Sequence, residues 1–111
     1  MKILLVCESG MSTSILEQRM KKYVEVNDID VKIKSIASAK FQNIIDNSDF
    51  DIVLLAPQVR FLKTRLEEII KPKNTPIELI NTIDYGTVNG ENVTKFAINV
   101  ISKSEFKGGS Q

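Results

Sequence analysis

The chain has 111 residues, 42% of them hydrophobic and 26% charged, with a net charge of +1, enough for one domain with a real core and too little for two. The near-neutral balance, with basic residues scattered, excludes the basic excess of a nucleic-acid binder. One cysteine and no histidine exclude an internal disulfide and argue against a zinc or copper site, so a reducing compartment is expected, with no metal and no cofactor.

In chain order, ILLVC (Ile3 to Cys7) is a continuous apolar run and predicts a strand covered on both faces. The run is too short for a signal peptide or a membrane span, and a cytoplasmic protein is expected. From Ser12 to about Val26 the pattern turns helical, with Leu16, Met20, Tyr23 and Val24 on one stripe. Ser14-Ile15-Leu16-Glu17 has the form of a capping box at its start. DIDVKIKSI then alternates Ile29, Val31 and Ile33 against Asp30, Lys32 and Lys34, as an edge strand with one wet face does.

Residues from about Ser38 to Asn47 predict a short helix, and DIVLLA (Asp51 to Ala56) a second fully apolar strand. Val59, Leu62, Leu66 and Ile69 share a helical stripe that ends before Pro72. TPIELI (Thr75 to Ile80) predicts a short edge strand, and a last helix is expected from near Gly90 to Ser102. Residues 1–103 form the single domain, and the polar, glycine-containing 104–111 is expected to be a disordered tail.

This alternation predicts an α/β fold with helices on both faces of a four-stranded parallel sheet. The apolar strands belong at the centre and the mixed ones at the edges. Right-handed crossovers then give strand order 2-1-3-4, flavodoxin-like and low-molecular-weight phosphatase-like. Ligands of such sheets bind beyond the carboxyl ends of the strands, where the order switches between strands 1 and 3.

The loop at that place is CESGMSTS, Cys7 to Ser14. It leads into a helix N-terminus, where unpaired N–H groups and the positive dipole end favour an anion. Gly10 lets successive amides curl inward. Glu8, Ser9, Gly10, Met11, Ser12, Thr13 and Ser14 thus make up a candidate phosphate-binding loop, with Ser12, Thr13 and Ser14 adding hydroxyl donors. The same field favours thiolate over thiol and makes Cys7 a nucleophile. The bland alternatives are that Cys7 fills space at a strand end and that one of the hydroxyls merely caps the helix.

Other polar residues are weaker candidates. Asp28 with Asp30, and Asp49 with Asp51, each precede a strand and read as solvated turn residues at the far end of the sheet. A phospho-aspartate receiver would need its acid at the carboxyl end of strand 3, and Ala56-Pro57 stands there. Gln58 and Tyr85 follow strands 3 and 4 and are candidate neighbours of the loop, with helix-start and packing roles as the alternatives.

ILLVCESGMSTS, together with VLLAPQVR (Val53 to Arg60) and IDYGTVNGE (Ile83 to Glu91), resembles the enzyme IIB component of the bacterial phosphotransferase system (PTS), lactose/cellobiose/chitobiose family. The resemblance covers residues 1 to 103. It implies a cytoplasmic phosphocarrier in which Cys7 accepts a phosphoryl group from a phosphohistidine of enzyme IIA. Cys7 would then pass it to a sugar held by the membrane-embedded enzyme IIC, during uptake of a cellobiose-, chitobiose- or lactose-type sugar. A monomer that associates with IIC is expected. Glu8 departs from the small or neutral residue expected after the cysteine, and its charge opposes phosphate unless the side chain points away.

Two other activities share the fold. A low-molecular-weight phosphatase needs Cys-x5-Arg, and here Thr13 stands at the arginine position. A flavodoxin-like FMN binder needs aromatic walls for the flavin, and only Tyr85 is available. A plain interaction domain with an inert thiol is the third alternative.

Overall fold

Lys2–Cys7 forms β1, with every residue after Lys2 buried. The structure, a computed structural model, describes residues 1–9 and 13–109, with side chains described as far as Ser104. β2 (Lys32–Ala37) pairs with one side of β1 and β3 (Ile52–Leu55) with the other, and β4 (Ile77–Leu79) pairs with β3. All pairings are parallel, and the order is β2-β1-β3-β4. The two continuous apolar runs are the central strands, as a sheet covered on both faces requires.

The period-2 geometry of β1 and β3 divides the core into two layers. Ile3, Leu5, Ile52 and Leu54 pack with Leu16, Met20 and Val24 of α1 (Ser14–Val26) and with Val93, Ala97 and Ile101 of α5 (Gly90–Gly109). Leu4, Val6, Val53 and Leu55 pack with Phe41 and Ile45 of α2 (Phe41–Asn47) and with Leu66 and Ile70 of α3 (Lys63–Ile70). Each such Val, Leu, Ile, Met or Phe side chain, taken wholly out of water, contributes roughly 1.5–3 kcal/mol before entropy is counted.

The edge strand β2 serves both layers in turn. Ile33 lies in the α1 layer and Ile36 in the α2 layer, while Lys32 and Lys34 remain exposed. The face expected to be wet is therefore wet only over its first half. The strand also begins at Lys32 rather than at Asp28. Asp28 and Ile29 are used to close α1: Asp28 sits at φ 54°, and the Asp28 and Ile29 N–H groups reach the carbonyls of Glu25 and Val24. This is a Schellman ending with Asp in the left-handed position.

Pro57–Leu62 forms 3₁₀ turns with a non-helical Val59 before α3 begins. Of the expected stripe, Val59 and Leu66 are buried while Leu62 and Ile69 are only half-buried, and Ile70 takes a buried place instead. A five-residue helix, α4 (Thr82–Gly86), was not expected. α5 runs on to Gly109, beyond the expected end at Ser102. No helix among the described residues is long and apolar enough to cross a membrane.

Candidate functional site at the carboxyl end of β1

Cys7 ends β1, pairing with Ala37 of β2 on one side. On the other side Ala56, just past β3, donates its N–H to the carbonyl of Val6 at 2.9 Å. Cys7 thus stands at the carboxyl end of β1, where the strand order switches between β1 and β3, and ligands of open α/β sheets bind in the crevice at such a switch. Cys7 is 1% exposed.

Thr13 is wholly buried and its hydroxyl donates to Cys7 Sγ at 3.3 Å. A hydroxyl aimed at sulfur stabilises a thiolate more than a thiol. The backbone of Thr13 has a separate task. Its carbonyl accepts the Glu17 N–H at 2.8 Å and so opens α1. Thr13 holds the N-cap position, yet its side chain makes no capping bond. The capping box expected from Ser14 to Glu17 is therefore not formed as such: Ser14 is already the first helical residue, and Glu17 turns elsewhere.

Glu17 accepts a hydrogen bond from Ser35 Oγ of β2 and pairs with Lys21 at 2.5 Å. Burial pushes its carboxyl up, but the bonds from Lys21 and Ser35 outweigh this and hold it below its ordinary value. The bridge ties the first turn of α1 to the edge strand, fixing the helix start behind the thiol. The Glu17–Lys21 spacing is a readable helical pair. Ser35 was not singled out, because a partner 18 residues away on another element leaves no local signal.

The remaining candidates divide. Glu8 and Ser9 are exposed, so the Glu8 carboxylate is not buried beside the sulfur. Gly10, Met11 and Ser12 lie outside the described residues. Ser14 is half-buried and Gln58 is exposed, in the 3₁₀ turn after β3. Tyr85 sits on α4 and packs against both core layers, the Cys7 layer included. A groove of about 550 Å³ beside Ser9 runs along the end of β2, and Lys34 and Lys40 line it. The paired aspartates lie at the opposite end of the sheet. Asp51 accepts the Lys2 N–H at 2.7 Å, and Asp49 pairs with Lys73 at 2.9 Å, which lowers the Asp49 carboxyl.

The sequence profile of the family described as "PTS system, Lactose/Cellobiose specific IIB subunit" matches residues 2–96. Among characterised relatives, the oligo-beta-mannoside-specific EIIB component of Bacillus subtilis is 34% identical over 100 residues, 90% of this chain and 95% of that one. The cellobiose-specific EIIB component of Lactococcus lactis is 32% identical over 103 residues, with the same coverage. A solution structure of a cellobiose-specific phosphotransferase IIB component from Borrelia burgdorferi is 56% identical, covers 93% of each chain and superposes with a TM-score of 0.74. The lactose-specific IIB domain of Streptococcus pneumoniae shares the fold at a TM-score of 0.76 with 18% identity, over 89% of this chain and 95% of that one. With the profile spanning nearly the whole described domain, and relatives matched almost end to end, the chain belongs to the lactose/cellobiose-specific IIB subunits of the bacterial phosphotransferase system.

Proposed function

We propose that this protein is a cytoplasmic phosphocarrier whose Cys7 carries the phosphoryl group between enzyme IIA and a sugar bound by the membrane-embedded enzyme IIC. The observation that carries this reading is the bond from the buried Thr13 hydroxyl to Cys7 Sγ at the strand-order switch. A thiol that merely filled space would not need a dedicated donor. In the first transfer the thiol sulfur attacks phosphorus, the P–N bond of the phosphohistidine breaks, and the thiol proton ends on the imidazole. In the second, a sugar hydroxyl oxygen attacks, the S–P bond breaks, and the hydroxyl proton returns to sulfur.

Carrier rather than phosphatase chemistry is supported by the side chain at the phosphatase arginine position. Thr13 is wholly buried there and already bonded to the sulfur. Neutral donors hold a phosphoryl group without the guanidinium clamp that would stabilise attack by water.

Docking of protein partners is supported by apolar side chains left exposed around the same end of the sheet. Ile15 is 53%, Phe61 76% and Ile83 73% exposed, and each follows the carboxyl end of a different strand. A carrier must release both partners, so the contacts should be modest in area. For the sugar, the 56% identity to a cellobiose-specific protein favours a cellobiose-type β-glucoside. The mannoside specificity of another relative fits a choice made mainly by IIC.

The test is reconstitution. Phosphorylated IIA is mixed with the protein, and vesicles holding the cognate IIC and cellobiose are then added. Label should pass first to the protein and then to the sugar, and Cys7→Ser should stop it at IIA. Hydrolysis of the label without vesicles as fast as with them would favour a phosphatase instead.

A further inference from the structure

Several otherwise unconnected features meet at Tyr85. Its hydroxyl is buried and has no hydrogen-bond partner among the described residues. Such orphaned groups are costly and rare in native proteins. Thr94, wholly buried on α5 one turn after Gly90, carries another among the described residues.

The segment that carries Tyr85 is tied down at both ends. Asn81 Oδ1 accepts the N–H groups of Ile83 and Asp84 at 2.9 and 3.0 Å, opening α4. The N–H groups of Val88 and Asn89 close it on the carbonyls of Tyr85 and Asp84. To do so Val88 adopts φ 52°, a strained value for a β-branched residue. Asn92 Nδ2 of α5 donates to Asp84 Oδ1 at 3.0 Å. This is a great deal of fixing for one turn and a half of helix.

The path of the chain puts the ring over the end of the sheet. α4 leaves from the carboxyl end of β4, and α5 begins against α1, so close that a Cβ on Gly90 would stand 2.6 Å from the Arg19 carbonyl carbon. α1 covers β1 on one face, so residues 81–90 must cross beyond β3 to reach it. The Tyr85 ring touches the core layers on both faces of the sheet, one of which contains Cys7. At that end of the sheet the Ala56 N–H bonds to the Val6 carbonyl and the Ile80 N–H to the Leu55 carbonyl, so Cys7, Ala56 and Ile80 stand side by side on successive chain segments.

We propose that the Tyr85 hydroxyl is a hydrogen-bond donor to the phosphoryl group carried on Cys7. Among the described residues it has no partner in the free protein, because its acceptor oxygen arrives with the phosphoryl group. The proposal rests on the phosphocysteine reading of Cys7. Thr13 then serves the sulfur and Tyr85 an oxygen, both as neutral donors. Because the bond exists only in the phosphorylated form, it pulls the transfer from IIA toward this protein.

The test compares wild type with Tyr85→Phe, which removes only the oxygen. Each protein is equilibrated with phosphorylated cognate IIA, and the label on Cys7 is measured. The thermal midpoint of each free protein is recorded alongside. The expected result is an equilibrium constant for transfer lowered about tenfold in the variant, with a thermal midpoint equal to or above that of wild type. An unchanged equilibrium constant overturns the proposal while leaving Cys7 as the carrier. A lowered midpoint overturns it too, since the hydroxyl would then have a partner in the free protein. Failure of wild type itself to take label on Cys7 would instead sink the phosphocysteine reading, and this proposal with it.

Discussion

The hydroxyl of Thr13 has two uses open to it, and it takes the less local one. A threonine at an N-cap ordinarily bonds the amides one turn into its own helix. Here it donates to Cys7 Sγ at 3.3 Å and leaves the cap without a side-chain bond. The helix forgoes a modest stabilisation, and the Cys7 sulfur gains a donor in a buried setting, where hydrogen bonds to charged groups contribute about 1.5–3 kcal/mol. Thr13→Val keeps the shape and removes the donor. It should fold with a thermal midpoint close to wild type and accept phosphoryl from IIA at least about tenfold more slowly, measured by rapid-quench labelling. An unchanged rate would mean that the bond is incidental. The loop composition announced that hydroxyls matter at this place. It did not reveal which one would serve the sulfur, because three adjacent hydroxyl residues look alike until the helix start is fixed at Ser14.

The elements that carry the site were legible to different degrees. β1 and β3 are unbroken apolar runs, and a run covered on both faces has little alternative but a central strand. α4 was missed for a physical reason. It is five residues long and held by side-chain and backbone caps, so no hydrophobic period has room to show. Gly86 was the natural residue for the left-handed position that ends a helix, yet Val88 occupies it at φ 52°. Its side chain is half-buried against the α1 layer, which offsets part of the strain. The usual ranking of substitutions should therefore invert at this position. Val88→Gly should be more stable than Val88→Ala by about 1 kcal/mol, read from urea midpoints; the opposite order would deny the strain. Gly90 is needed for another reason. A Cβ there would stand 2.6 Å from the carbonyl carbon of Arg19 and 2.7 Å from the Met20 nitrogen. Backbone cannot move aside cheaply, so Gly90→Ala should cost roughly 1–3 kcal/mol and loosen α1 against α5. A variant as stable as wild type would show that the helices sit further apart.

At the scale of the whole molecule, the sheet sorts its residues by end. The acids at the amino end are structural, with Asp51 joining β1 to β3 and Asp49 paired with Lys73. The carboxyl end gathers the thiol, its donor and the exposed Ile15, Phe61 and Ile83, and α4 with Tyr85 follows the last strand there. That division was legible from the β-α alternation alone, because a parallel sheet puts every βα loop at one end. The Glu17 bridge between α1 and β2 was not, and it leaves a mark on acid stability. The Glu17 carboxyl is lowered in the folded protein. Its contribution is therefore present above the ordinary carboxylate range and is lost as pH falls through the lowered folded value. Glu17→Gln should reduce stability at neutral pH and narrow the gap to wild type on acidification, followed by urea midpoints across that range. A gap independent of pH would mean that the carboxylate charge is not what holds the bridge. The central claim is that Cys7 carries the phosphoryl group, and one measurement addresses it directly. The protein is incubated with enzyme I, HPr, the cognate IIA and phosphoenolpyruvate, and the phosphoryl group is located by peptide mass spectrometry under conditions that preserve S–P bonds. The predicted result is a single modified peptide with the group on Cys7. Phosphate on a serine, threonine or aspartate with Cys7 unmodified would contradict it.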